Sequence, residues 1–163
     1  MKNTIESIQL KSFDCFSQQS RICESILRSL PQCFGIESAL IQYIEDIEKL
    51  PTLIALVESE YVGFLSYKQH NEYAAELYVM GIYSEYQRCG IGRTLVEGTE
   101  SILRQENIQY WQVKTLAASH PDPFYAKTRK FYTAMGFRPL EVFPKLWGEE
   151  NPLNRGTKNC YQP

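Results

Sequence analysis

The chain lacks the residue clusters that mark several large classes of protein. It has only two histidines, His70 and His120, and its five cysteines contain no Cys-x-x-Cys pair, so neither a zinc site nor a disulfide framework is indicated. Basic residues are not in excess: 17 Lys and Arg stand against 19 Asp and Glu, a formal net charge of -2. That balance argues against broad binding to nucleic acid. We therefore expect no metal and no nucleic-acid partner.

Long apolar runs are missing as well. No segment approaches the roughly 18 apolar residues of a membrane span, and the first residues lack the apolar core of a secretory signal. An odd number of cysteines without such a signal favours reduced thiols in the cytoplasm. The 163 residues, 44% of them hydrophobic, suit one globular domain over residues 1–163. We expect a cytoplasmic protein that does not enter a membrane.

Hydrophobic periodicity predicts an alternation of strands and helices. The order β-α-α-β-β-β-α-β-α-β predicts an α/β protein with a mixed sheet covered by helices. The predicted strands are residues 5–10, 52–58, 61–69, 76–83, 110–116 and 137–143, and the predicted helices are 18–30, 38–49, 93–105 and 124–135. Residues 153–160 lack an alternating pattern, so we expect a last strand that is short, frayed or supplied differently.

The most informative stretch is residues 87–92, Gln-Arg-Cys-Gly-Ile-Gly, between an apolar strand and an amphipathic helix. Its two glycines allow a tight turn and a close approach of backbone to a ligand. The free N–H groups at the start of the following helix favour an anion. Arg88 and Arg93 oppose the helix dipole by about 0.3–1 kcal/mol each unless an anion lies beside them. The sequence therefore predicts a phosphate site here.

Three types of phosphate-binding loop are considered as interpretations of this stretch. A fourth interpretation is a helix-entry turn without a ligand. A Walker loop is excluded because no Gly-x4-Gly-Lys-Ser/Thr is present. A dinucleotide fingerprint is disfavoured because Leu95 stands where a third glycine belongs, and residues 112–115 offer no carboxylate for a ribose. Gln87, Gly90 and Gly92 fit the Gln/Arg-x-x-Gly-x-Gly/Ala loop that holds the pyrophosphate of coenzyme A.

The segments on either side of the turn carry a family resemblance. Residues 76–82 (Glu-Leu-Tyr-Val-Met-Gly-Ile) precede the loop, and residues 130–137 (Lys-Phe-Tyr-Thr-Ala-Met-Gly-Phe) follow it at the usual spacing. Together the motifs resemble the GCN5-related N-acetyltransferase (GNAT) superfamily over roughly residues 5–147. Residues 113–116, 125–132 and 146–152 are similar to a bacterial branch whose members are commonly assigned only as acetyltransferases.

The resemblance implies a fold and a cofactor. The fold would be the GNAT fold, a mixed, mostly antiparallel central sheet of about six to seven strands flanked by about four helices. The co-substrate would be acetyl-CoA, with its pantetheine arm paired to a strand edge and its pyrophosphate on the loop. The implied cofactor-binding residues are Met80, Gly81, Ile82, Gln87, Arg88, Cys89, Gly90, Ile91, Gly92, Arg93, Thr94 and Tyr125. Gly81 is compatible with the strand bulge found in the family, and Tyr125 departs from the asparagine of many relatives.

The resemblance also implies two catalytic residues. Tyr132 matches the tyrosine beside the cofactor sulfur, although an aromatic on an amphipathic helix is otherwise a core residue. Glu76 matches the strand glutamate that acts as general base, directly or through water; its alternative is a carboxylate facing solvent. His120 and Asp122 lie in a loop at the acceptor end of the sheet and are alternative bases.

The acceptor is less well defined. In relatives the acceptor site is lined by the first two helices and by the loop between the last two strands. The resemblance implies that the corresponding residues here are Phe34, Tyr43, Tyr67, Trp147, Glu149 and Glu150. The implied activity is transfer of acetyl from acetyl-CoA to a primary amine of a small molecule or peptide, in a ternary complex, by a monomer or homodimer. The alternative is a coenzyme-A-binding sensor or partner module without catalysis. Acetylation of aminoacyl-tRNA is disfavoured by the acidic balance.

Overall fold

The computed structural model describes residue 5 and residues 7–13 and 16–162, with Phe16 described by its backbone alone. In these residues the chain forms seven strands and five α-helices. The strands are β1 (Gln9–Lys11), β2 (Thr52–Val57), β3 (Glu60–Gln69), β4 (Ala74–Ile82), β5 (Tyr110–Leu116), β6 (Arg138–Phe143) and β7 (Leu153–Asn159). The helices are α1 (Phe16–Arg28), α2 (Pro31–Phe34), α3 (Glu37–Ile47), α4 (Ile91–Gln105) and α5 (Pro123–Ala134).

The strands form one open sheet in the order β1-β2-β3-β4-β5-β7-β6. The pairs β1–β2, β2–β3, β5–β7 and β6–β7 are antiparallel, and β4–β5 is parallel. This is the mixed, mostly antiparallel sheet of the GNAT fold, so the predicted fold class is confirmed. None of the helices in the described ranges is long and apolar enough to cross a membrane.

The chain divides into two compact units. The first takes residues 1–68 and 79–101, and the second takes residues 69–78 and 102–163. In the first unit, Gln19 on α1 donates two hydrogen bonds to the end of α3, at the carbonyls of Ile47 (2.9 Å) and Leu50 (3.0 Å). Arg28 also holds Glu37 with two bonds of 3.0 and 3.1 Å. Those bonds lower the pKa of Glu37 and favour its charged form.

Helix α4 packs on the first strands through Gly98, as its place on the apolar face predicts. A Cβ at this residue would lie 2.4 Å from Leu10 Cδ1 and 3.1 Å from Leu53 Cδ2. A glycine at residue 81 on β4 is explained in the same way: an added Cβ would lie 3.1 Å from Ile26 of α1 and 3.2 Å from Phe64 of β3. Both glycines therefore allow close packing of helix on sheet.

The second unit corrects the expectation of a short or frayed last strand. Strand β7 is seven residues long, and all seven pair with β5, from Leu153 opposite Leu116 to Asn159 opposite Tyr110. Its other edge pairs with β6. An alternating apolar pattern is unnecessary because Leu153 and Gly156 fill the buried positions and Arg155 lies over the Phe143 ring at 4.7 Å. Pairing on both edges stabilises this strand, which has no continuous apolar face.

Most other predicted boundaries move by one or two residues. The first predicted strand, residues 5–10, is seen as Gln9–Lys11, and residue 6 lies outside the described part. Pro31 ends α1 as expected but also begins the short helix α2, because its fixed φ suits a first helical turn. A 3-10 turn at Ser84–Tyr86 between β4 and the glycine-containing stretch is an element that the sequence did not predict.

Candidate functional site

The loop between β4 and α4 has the backbone of an anion-binding turn. Arg88 and Gly90 adopt positive φ values of 64° and 88°, which turn successive N–H groups toward a common side. The Gln87 side chain donates a hydrogen bond to the carbonyl of Ile82 at 3.0 Å. The Tyr86 hydroxyl donates to Glu60 at 3.0 Å, and that bond raises the pKa of Tyr86. The loop is therefore anchored to β4 and β3.

Helix α4 begins directly at the end of this loop. The Thr94 N–H donates to the Gly90 carbonyl at 3.0 Å. The N–H groups of Ile91, Gly92 and Arg93 precede that bond, so helix geometry gives them no carbonyl four residues back. The Thr94 hydroxyl also donates to Gly90, at 3.1 Å, and so offers a ligand its lone pairs rather than its proton.

The space above the loop suits a pyrophosphate. A Cβ at Gly90 would meet no heavy atom within 4 Å, so the backbone of this residue is open to a ligand. Arg88 is exposed, and Arg93 makes a long contact of 3.5 Å with Glu97. Neither guanidinium is committed to a buried partner. The three free N–H groups at the N-terminus of α4 and the two exposed arginines form a set of hydrogen-bond donors for a doubly charged anion.

The strand that precedes the loop lies in the same unit. Met80 and Ile82 are half-buried on β4, and Gly81 between them is buried against α1 and β3. Parallel pairing of β4 with β5 runs from Ala74–Tyr110 to Leu77–Val113, whereas β4 continues to Ile82. Residues 80–82 are therefore backbone of a strand beyond its registered pairing with β5, as addition of an extended ligand requires.

Glu76 lies in the second unit and is buried, with 5% of its surface exposed. Its carboxylate is held by two partners. Lys114 Nζ on β5 lies 3.0 Å from Oε1 and 3.2 Å from Oε2, and His70 Nε2 lies 2.8 Å from Oε2. The alternative of a carboxylate facing solvent is therefore wrong. The parallel register explains the cluster, because Glu76 stands opposite Gln112 and two residues from the Lys114 position.

Tyr132 also lies in the second unit, on α5. Its ring packs edge-on against Phe131 and Phe137, with ring centroids 5.4 and 5.8 Å apart, and the residue is half-buried. This ring packing agrees with the alternative of a core aromatic. Tyr125, two helix turns earlier on α5, packs on Phe124 with ring centroids 6.4 Å apart and is half-buried too.

The alternative bases have structural roles in the structure. Asp122 is the N-cap of α5, and its carboxylate accepts the Phe124 N–H at 2.8 Å. His120 Nδ1 accepts the Asp122 N–H at 3.3 Å. An N-cap of this kind stabilises a helix by about 1 kcal/mol. The loop 117–122 thus starts a helix, which accounts for both residues without catalysis.

The aromatic residues expected around the acceptor divide between the units. Phe34 and Tyr43 form an edge-on pair at 5.8 Å in the first unit, where Tyr67 is 5% exposed and belongs to the core. Trp147 lies in the second unit and is 42% exposed. Glu149 is an exposed side chain paired with Lys145 at 3.4 Å. Tyr67 is too buried to line an open pocket.

Sequence reasoning missed His70 and Lys114. His70 precedes Glu76 by six residues and Lys114 lies on another strand, so no local motif joins them. Only the register of β4 on β5, and the turn from β3 into β4, bring the three side chains together.

Comparison with known proteins agrees with this geometry. The sequence profile of the acetyltransferase (GNAT) family matches residues 20–137. No curated protein sequence matches the chain.

Solved structures share the fold at low identity. A GNAT-family protein from Desulfovibrio desulfuricans has a TM-score of 0.81 at 16% identity, covering 94% of this chain and 99% of its own. An aminoglycoside 6'-N-acetyltransferase in complex with coenzyme A has a TM-score of 0.74 at 19% identity, covering 95% and 98%. The ribosomal-protein-S18-alanine N-acetyltransferase of Escherichia coli has 0.72 at 13%, covering 96% of each chain.

At these identities the solved structures establish the fold. The family profile, by contrast, matches well over half of the chain, and its range includes the loop, Glu76 and Tyr132. The chain belongs to the acetyltransferase (GNAT) family.

Proposed function

We propose that this protein transfers acetyl from acetyl-CoA to a primary amine of a small molecule or peptide, by direct attack in a ternary complex. The observation that carries the proposal is the loop from Gln87 to Thr94. It combines two positive φ values, open space at Gly90 and the free N–H groups of a helix start. Among solved relatives of this fold, one with an aminoglycoside acceptor holds coenzyme A. Another acts on the alanine of a ribosomal protein. We therefore name only the chemical class of the acceptor, a primary amine.

Each step of the transfer has a candidate group in this chain. The N–H groups of residues 88–93 bind the pyrophosphate, and the backbone of residues 80–82 pairs with the pantetheine arm. A backbone N–H of β4 polarises the thioester carbonyl as an oxyanion hole. Glu76 accepts the proton that the amine loses, directly or through water. Tyr132 donates a hydrogen bond to the departing thiolate, and thereby lowers the barrier to breaking the carbon–sulfur bond.

A phenol is a weak acid for this purpose. Its reference pKa is near 10 and that of a thiol is near 8.5, so complete proton transfer to the thiolate is uphill without a local shift. We therefore assign Tyr132 the role of hydrogen-bond donor to the thiolate, and only secondarily that of the acid that protonates it. That assignment predicts a loss of turnover without a loss of acetyl-CoA affinity.

The test measures coenzyme A release with a panel of primary amines, by chromatography rather than with a thiol reagent because the protein has cysteines of its own. We expect turnover with at least one amine. Tyr132→Phe lowers kcat by about 10- to 100-fold, the worth of one hydrogen bond to a charged group, and leaves the Kd for acetyl-CoA, measured by calorimetry, within a factor of about two. Tyr110→Phe, at a tyrosine that is 50% exposed, is the control. Full kcat in Tyr132→Phe would remove the assigned role.

A second candidate function has one observation in its favour. Both oxygens of Glu76 already have partners, which a purely structural ion pair would also show. A coenzyme-A-binding module without catalysis keeps the loop and has no need of a free base. Thermal stabilisation by coenzyme A without turnover on any amine would support this module and contradict the enzyme.

A further inference from the structure

A buried base has to return its proton to water after every turnover. Glu76 has 6% of its side chain exposed, and the groups bonded to it offer its proton a route to solvent. Those groups are Lys114 and His70, whose side chains are 27% and 32% exposed. Both reach from the buried carboxylate to the surface of the second unit.

The two partners differ in what they can accept. A lysine ammonium has three donors and no acceptor, so Lys114 stabilises the charge of the carboxylate but takes no proton from it. A neutral imidazole has one nitrogen with a lone pair. His70 presents Nε2 to Glu76 Oε2 at 2.8 Å, a distance at which a proton moves along a hydrogen bond. His70 is the partner with the right chemistry.

The turn that carries His70 is held by its own hydrogen bonds. The His70 N–H donates to the Ala74 carbonyl at 2.9 Å. Asn71 Oδ1 accepts the N–H groups of Tyr73 (2.8 Å) and Ala74 (2.9 Å). Gln69 donates to the Asn71 carbonyl at 3.0 Å. These bonds hold the backbone of the turn, and with it the Cα of His70, beside the first residues of β4.

We propose that His70 is the proton exit of the site: it takes the proton from Glu76 and passes it to solvent. The proposal rests on the proposed function, in which Glu76 receives the proton of the amine. The O–H bond of protonated Glu76 breaks and an N–H bond forms at His70 Nε2, which gives a carboxylate and an imidazolium. The imidazolium then loses one proton to water or to a buffer base. That proton leaves from Nδ1, so Nε2–H then donates to the Glu76 carboxylate. When Glu76 is next protonated it no longer favours Nε2–H, and the part-exposed ring exchanges with water to the tautomer whose unprotonated Nε2 accepts the proton again.

The test compares wild type with His70→Gln at saturating acetyl-CoA and amine. Glutamine can still donate a hydrogen bond to Glu76 but cannot carry a proton. In dilute buffer we expect kcat to fall at least 10-fold, with acetyl-CoA affinity and the urea unfolding midpoint unchanged. Added imidazole restores kcat with saturation, because a free base replaces the missing ring. The control is Glu72→Gln, an exposed carboxylate of the same turn, which keeps the wild-type rate and shows no response to imidazole.

Each outcome decides the matter. Equal kcat values for His70→Gln and wild type at every imidazole concentration overturn the proposal that His70 is the proton exit. A loss that imidazole does not restore assigns His70 a structural role and also overturns it. Both results leave the proposed function intact, since the wild type still turns over. Absence of wild-type turnover on any amine overturns the proposed function and the exit together.

Discussion

At the scale of single residues, two glycines have similar positive φ values and open surroundings but lie in different loops. Gly90 in the loop has φ 88° and Gly148 between β6 and β7 has φ 95°, and a Cβ at either would meet no heavy atom within 4 Å. Alanine in this conformation costs about 1 kcal/mol at each residue. The two positions therefore separate backbone strain from an effect on ligand binding.

We expect Gly90→Ala and Gly148→Ala to lose similar free energies of unfolding, about 1 kcal/mol each. Coenzyme A affinity falls at least 10-fold in Gly90→Ala, since the added methyl occupies the space over the loop, and it is unchanged in Gly148→Ala. Urea unfolding and calorimetric titration measure the two quantities. Equal affinities in the two variants would show that the pyrophosphate binds elsewhere.

The residue scale also shows what a sequence can and cannot predict. The turn before α4 was predictable because a local motif, glycines before a helix, determines its backbone. The burial of Glu76 was not, because its partners come from a turn and from the next strand in space. Cys23 is buried in α1, and burial raises the pKa of its thiol.

At the scale of elements, the contact of α4 with the first strands is tight at one position. A Cβ at Gly98 would overlap Leu10 Cδ1 at 2.4 Å, and Leu10 is 36% exposed at the sheet edge. Glycine in a helix interior costs about 1 kcal/mol relative to alanine. That cost is balanced by the close approach of the helix to β1 and β2.

We expect Gly98→Ala to depend on Leu10. In the wild-type background the overlap cancels or exceeds the gain in helix propensity, whereas in a Leu10→Ala background the same change stabilises the fold by about 1 kcal/mol. A double-mutant cycle by urea unfolding measures a coupling of about 1 kcal/mol or more. Additivity within about 0.5 kcal/mol would contradict the contact.

Elements were predictable in proportion to the regularity of their apolar pattern. Strand β5 has the predicted bounds, 110–116, and α4 and α5 differ from prediction by two residues or fewer at each end. Strand β7 was not predictable as a full strand, because its stability comes from pairing on two edges with β5 and β6. Pairing leaves no signature in the residues of the strand itself.

At the scale of the whole molecule, ligand binding adds to folding stability. A ligand that binds the folded chain alone stabilises it by about 2.7 kcal/mol at 100 times its Kd. For a protein of this size, each kcal/mol raises the Tm by about 2–4 °C. We expect coenzyme A at that concentration to raise the Tm by about 5–11 °C, measured by scanning calorimetry. In Gly90→Ala a 10-fold weaker affinity removes about half of that rise at the same concentration, and a larger loss of affinity removes more. A rise equal in both proteins would contradict the loop as the binding site.

The place of β7 between β5 and β6 sets an order for assembly during synthesis. The ribosome releases β6 before β7, yet β6 reaches the sheet only through β7. From Phe143 to Asn159 the chain grows by 16 residues, which takes about 1–3 s at typical rates of translation. During that interval the edge of β5 that later pairs with β7 has no partner strand. The nascent chain is open to chaperones in that window, and the window closes when residues 153–159 emerge.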